Sequence, residues 1–145
     1  MKKNKKSTSR IEKLCSENGV KFTHQRRIIA DVISNSDDHP DANEVYLRSN
    51  KIDSRISLAT VYRTIKLFEE YNVLNRIELG GKRARYEELN EDEHHDHLID
   101  IDSGEIIEFV NEEIERLQMK VAKKLGYELV DHRMELFGKK ISKKN

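Results

Sequence analysis

Residues 94–97 read His-His-Asp-His, three imidazoles and one carboxylate in four positions. Imidazole nitrogens and carboxylate oxygens are donors for first-row divalent cations. In an extended strand successive side chains point to opposite faces. His94 and Asp96 then face one way and His95 and His97 the other, so one strand serves two metal sites, back to back. Each pair falls short of the four or more ligands that a closed site needs. Candidates for the remainder are His39, Glu88, Glu108, Glu115 and His132, and among the six histidines only His24 is left over. A lone His132 or Glu115 is ordinarily a satisfied or exposed side chain; the block at 94–97 is what carries the metal reading. Residues 91–115 hold eleven acidic residues and no Lys or Arg. Carboxylates crowded in this way repel one another unless solvated or neutralised by cations.

A second run, Ile56 to Ile65 (ISLATVYRTI), has the make-up of a helix read by a nucleic acid. A recognition helix turns small and polar residues to the groove and apolar ones to the core. Ser57, Thr60, Tyr62, Arg63, Thr64 and Lys66 can supply the outward set. Tyr62 can touch a thymine methyl group, and Arg63 can reach guanine edges or phosphates. Lys82, Arg83 and Arg85 follow on a hairpin, where a wing would brush phosphates. The alternative for both runs is a solvated polar face.

The elements that must position these residues can be read from periodicity. Ser9 to Asn18 is a short helix with Ile11, Leu14 and Cys15 on one side and Gly19 as its stop. Thr23 caps a second helix that aligns Ile28, Ile29, Val32 and Ile33. Asp41 caps a third, followed by Val45, Tyr46 and Leu47, and Ser57 opens a fourth that ends near Asn72. The period then changes to two. Val73 to Leu79 and Arg83 to Leu89 flank Gly80-Gly81-Lys82, a β-hairpin pattern, since glycine tolerates the positive φ of a tight turn. Helices followed by a two-stranded hairpin form a winged helix-turn-helix over residues 1–89.

Residues 90–145 open with an acidic joint, Asn90 to Glu93. Strands follow at His95 to Ile101 and Glu105 to Phe109, around Asp102-Ser103-Gly104. An amphipathic helix from Asn111 to Leu125 aligns Ile114, Leu117, Val121 and Leu125, with Gly126 as its stop. Tyr127 to Phe137 reads as a last strand. One helix and three strands cannot bury both faces alone, and a second copy of the chain would complete them. The fold class is therefore α+β, with an N-terminal winged helix-turn-helix domain and a C-terminal α/β dimerisation domain.

Composition agrees with this division. The 145 residues carry no net charge, yet residues 1–86 hold 18 basic and 11 acidic residues, and residues 87–145 hold 9 and 16. A basic half suits a polyanion and an acidic half suits cations. Cys15 is the only cysteine, which excludes an intrachain disulfide and a Cys-rich zinc site. No stretch approaches the roughly 20 apolar residues of a membrane-spanning helix. The basic MKKNKK start has no apolar segment behind it, so a cytoplasmic protein without a membrane partner is expected, with solubilising basic tails at 1–6 and 139–145.

The runs LATVYRTI at 58–65, GGKRARYE at the hairpin and HHDHLI at 94–99, with GEIIEF at 104–109 and His132, resemble the ferric uptake regulator (Fur) family from about Ile11 to Gly138. The resemblance implies a winged-helix repressor that dimerises through its C-terminal domain and binds DNA when loaded with divalent metal. By position it implies a regulatory site of His39, Glu88, His95, His97 and Glu108, joining the two halves. It implies a second site of His94, Asp96, Glu115 and His132 within the C-terminal half. Lys21 corresponds to a minor-groove contact, and Tyr62 and Arg63 to major-groove contacts. Many family members hold a structural zinc with two Cys-x-x-Cys pairs. Here Asp100 and Ser103 stand in place of the first pair and the second is missing, so dimer stability must come from packing or from metal at the His94 site.

The implied function is a homodimeric repressor of metal uptake genes acting on an A/T-rich inverted repeat. Its co-repressor is Fe²⁺, with a manganese- or zinc-responsive regulator of the same family as the alternative, since Mn²⁺ and Zn²⁺ suit the same nitrogen and oxygen donors. A winged-helix regulator whose metal is purely structural is a further alternative. A metal-dependent hydrolase is not supported: there is no HExxH, no Gly-rich elbow and no nucleophile in context, and four or five protein ligands leave no open metal position.

Overall fold

Each of the first four helices opens on a side chain that accepts the backbone N–H three residues on. Ser9 caps α1 (Arg10–Glu17), Thr23 caps α2 (His24–Ser34), Asp41 caps α3 (Ala42–Ile52) and Ser57 caps α4 (Leu58–Glu70). A cap of this kind is worth about 1 kcal/mol, because it satisfies a donor that the helix cannot. Gly19 follows α1 at φ +80°, the left-handed backbone that ends a helix without a Cβ penalty. The computed structural model describes residues 8–79, 83–89 and 95–142. The expected turn Gly80-Gly81-Lys82, the joint from Asn90 to Glu93, His94, the start at 1–6 and the last three residues lie outside the described residues.

The chain divides into two units, Met1–Asn90 and Glu91–Asn145. In the first, α1 to α4 pack around Ile11, Cys15, Ile29, Ile33, Val45, Val61, Ile65 and Phe68, all buried. On α4 the buried residues are Val61, Thr64, Ile65 and Phe68, the i, i+3, i+4, i+7 stripe of a helix packed on one side. Thr64, expected to face outward, is only 4% exposed because it falls on this stripe. After α4 come β1 (Leu74–Ile77) and β2 (Arg85–Glu88), antiparallel, with Asn75 opposite Glu87 and Arg76 opposite Tyr86. Tyr86 turns into the core, and its N–H donates to the Pro40 carbonyl, so the hairpin is tied to the α2–α3 connection.

In the second unit the strand order is β4-β3-β5: β3 (Asp96–Asp100) in the centre, antiparallel to β4 (Ile106–Phe109) and parallel to β5 (Glu135–Gly138). The last strand is shorter than the expected span from Tyr127. Its register sets His97 against Glu135 and Asp100 against Gly138, and just upstream the Met134 carbonyl accepts the His97 N–H at 3.3 Å. Between β4 and β5, α5 (Glu112–Lys124) is capped by Asn111. No residue of α5 is buried in the single chain: Leu117 is 57% exposed, Val121 56% and Leu125 70%. Among the described residues no helix is long and apolar enough to cross a membrane.

Candidate metal centres and nucleic-acid surface

Strand β3 sorts its chemical groups by face. His97 lies directly opposite Glu108 on β4, and directly paired residues of an antiparallel ladder share a face. His95, one residue before the strand, places Nε2 3.4 Å from Glu108 Oε2. The His95 and His97 rings meet edge to face with centroids 5.0 Å apart. His95, His97 and Glu108 are thus brought together, with the alternation expected from their spacing.

Asp96 turns to the other face and is 1% exposed. There the His132 Nε2 lies 3.3 Å from Asp96 Oδ1 and 3.5 Å from Glu115 Oε2. Glu115 is held by the first turn of α5, where the helix dipole favours acidic groups. Ligands about 2.0–2.2 Å from a tetrahedrally bound cation stand roughly 3.3–3.6 Å from one another. The three donors are spaced for one ion, and a carboxylate buried as deeply as Asp96 requires a compensating cation or hydrogen-bond donor. His94, the fourth expected member, is outside the described residues.

His39 belongs to the first unit and is built into it firmly. It has φ +53°, a left-handed conformation that costs a non-glycine residue on the order of 1 kcal/mol or more. Its carbonyl accepts a hydrogen bond from Arg85 Nη1 at 3.0 Å, and its buried ring places Nε2 3.1 Å from Glu87 Oε1. The carboxylate beside His39 is therefore Glu87. Glu88, the residue expected there, lies one step along β2 and accepts a hydrogen bond from Ser34 Oγ at 2.6 Å. Strand alternation explains the difference: Tyr86 and Glu88 share the face turned to the helices, and Arg85 and Glu87 share the other. A core role for Tyr86 was the available signal for choosing Glu87.

The described nucleic-acid candidates are exposed or half-buried residues of the first unit. Tyr62 and Arg63 are exposed on α4. Arg63 Nη2 donates to Thr60 Oγ1 at 3.3 Å, and Thr60 Oγ1 lies 3.0 Å from Ser57 Oγ, so these three are linked at the start of the helix. Lys21 is exposed before α2, its carbonyl fixed by Arg26 Nη1 at 2.6 Å. Arg83 is exposed, 3.9 Å from Asp41. Lys82 lies outside the described residues.

The β3–β4 turn is closed without thiolates. Asp100 Oδ1 accepts N–H groups of Asp102 at 2.9 Å and Ser103 at 3.4 Å, and Ser103 Oγ accepts that of Glu105. The Asp102 N–H, chief among these donors, holds the Asp100 carboxyl below the usual carboxylate range.

Comparison with known proteins places this arrangement. Residues 17–137 match the pattern that defines the Ferric uptake regulator family. The Ferric uptake regulation protein of Rhizobium leguminosarum bv. viciae is 50% identical over 135 residues, which cover 93% of this chain and 94% of that one. A solved zinc-bound manganese uptake regulator is 49% identical with a TM-score of 0.72, covering 93% of this chain and all of the other. The Helicobacter pylori ferric uptake regulator, described as having three functional metal-binding sites, is 31% identical with a TM-score of 0.78, covering 93% and 94%.

Proposed function

The chain belongs to the ferric uptake regulator family, and from that premise we propose that it represses metal uptake genes as a homodimer whose DNA affinity is set by one divalent cation. Proteins of this family are metal-responsive, DNA-binding dimeric regulators and not enzymes. The observation that carries the proposal is the pair of half-sets of ligands, one in each unit. The first unit holds His39 beside Glu87, and the second holds His95, His97 and Glu108 together. These five residues form the regulatory site in our reading, with Glu87 in the place expected of Glu88. Bonds from both half-sets to one cation fix the relative orientation of the units, and with it the spacing of the two α4 helices in a dimer. DNA requires that spacing to be about 34 Å or a multiple of it.

Asp96, Glu115 and His132, with His94, form the second site, whose protein ligands all lie in one unit. Its role is to hold the dimerisation unit together without the two Cys-x-x-Cys pairs that many family members use. A two-fold dimer reads a two-fold site, so the target is an inverted repeat, A/T-rich in our reading, contacted by Lys21, Ser57, Thr60, Tyr62, Arg63, Lys82 and Arg83. The protein acts in the cytoplasm, where that DNA is. Nitrogen and oxygen donors suit Fe²⁺, which we take as the co-repressor. Mn²⁺ is the second reading, carried by the 49% identity to a manganese uptake regulator.

The test is DNA affinity with and without each metal. His39→Ala should keep the fold and the dimer but lose the metal response. His132→Ala should instead lower dimer stability. A full metal response in His39→Ala would reject His39 as a ligand of the regulatory site, whereas DNA affinity indifferent to metal in the parent protein would leave the metal purely structural.

A further inference from the structure

The Glu87 carboxylate contacts a candidate ligand through one oxygen and a neutral amide through the other. Oε1 faces His39 Nε2 at 3.1 Å, while Oε2 accepts a hydrogen bond from Asn75 Nδ2 at 2.8 Å. Asn75 and Glu87 are directly paired across β1 and β2, which puts their Cβ atoms about 4.5–5.5 Å apart on one face. Both side chains are half-buried, so the bond is sheltered from competing water. A carboxylate only accepts, which fixes the amide orientation of Asn75 with its nitrogen toward Glu87.

The residue type matters as well as the contact. A glutamate has three rotatable bonds, and an unanchored one must be ordered each time a cation binds. Asn75 orders it beforehand. The amide is neutral, so it leaves the full negative charge of Glu87 for the cation, whereas a lysine or arginine at this position would compete with it. Hydrogen bonds to ligating carboxylates are a recurrent means of aiming them.

We infer that Asn75 is a positioning residue of the regulatory metal site, aiming Glu87 at the cation from the facing strand. The inference rests on the reading of His39 and Glu87 as ligands. It also makes the hairpin part of the sensor, since β1 supplies the anchor and β2 the ligand.

The test is titration of the full chain with Co²⁺, following its visible absorption, with the regulatory component identified as the one lost in His39→Ala. Asn75→Val and Asn75→Thr have nearly the same shape and strand preference, but only threonine keeps a donor. Asn75→Val should weaken that component roughly 10–100-fold. Asn75→Thr should fall between it and the parent protein, and the two variants should unfold at the same temperature without metal. Parent-like affinity in Asn75→Val, or equal losses in both variants, would overturn the inference. If His39→Ala removes no component at all, the reading of the regulatory site has failed, and the role of Asn75 fails with it.

Discussion

Tyr62 and Arg63 sit next to each other on α4, both exposed, between the buried Val61 and Thr64. Both contact DNA in the function proposed above. Tyr62→Ala and Arg63→Ala should each weaken binding to the target DNA by about 1–3 kcal/mol, measured by fluorescence anisotropy. Metal content should not change, because among the described residues neither side chain is bonded to a candidate ligand. Parent-like affinity in both variants would remove α4 from the DNA interface. The outward placement of Tyr62 and Arg63 was legible in the sequence, since it follows from helical spacing, and both are exposed. Thr64 shows where that reading slips. Threonine is polar enough to count as outward-facing, but position on the buried stripe decides.

At the scale of elements, the helix starts were the clearest signals. Thr23, Asp41 and Ser57 each accept the N–H that capping chemistry demands, because a cap depends only on neighbours in sequence. Strand limits were less legible. The strand limits of β5 follow its register against β3, which lies far away in the chain. Helix α5 carries its own prediction. Its apolar face, with Leu117, Val121 and Leu125, is exposed in the single chain and should be buried between two copies. Val121→Glu should give monomeric or unfolded protein in sedimentation experiments, because a charge would be buried without a partner. A soluble dimer of parent-like stability would show that this face is not the interface.

For the whole molecule, metal and DNA act on one equilibrium. If metal raises DNA affinity by some factor, DNA must raise metal affinity by the same factor. Metal titrations with and without the target DNA should therefore shift by the factor seen in DNA titrations with and without metal. Unequal factors at equilibrium would rule out a single linked switch. Association should also weaken steeply with salt, since the 18 basic residues among positions 1–86 include those placed to displace counterions from phosphates. A flat salt response would exclude that half as the DNA surface.

The sequence by itself determined which chemistry the chain carries. Three histidines and an aspartate in four positions, eleven carboxylates within residues 91–115, and one cysteine fix the donor types. Periods of 3.6 and 2 fix which residues can share a face, and both follow from local backbone geometry. The two faces of β3 and the run on α4 were readable for that reason. Only the tertiary structure decided which carboxylate meets which histidine. Glu87 and Glu88 are chemically identical neighbours, and the choice between them turns on Tyr86 entering a core assembled from four helices. Asn75 gave no signal in one dimension, because its partner is set by the β1–β2 register. The same holds for the distance between His132 and Asp96: they are 36 positions apart in the chain, and only the folded sheet and helix bring their side chains within 3.3 Å.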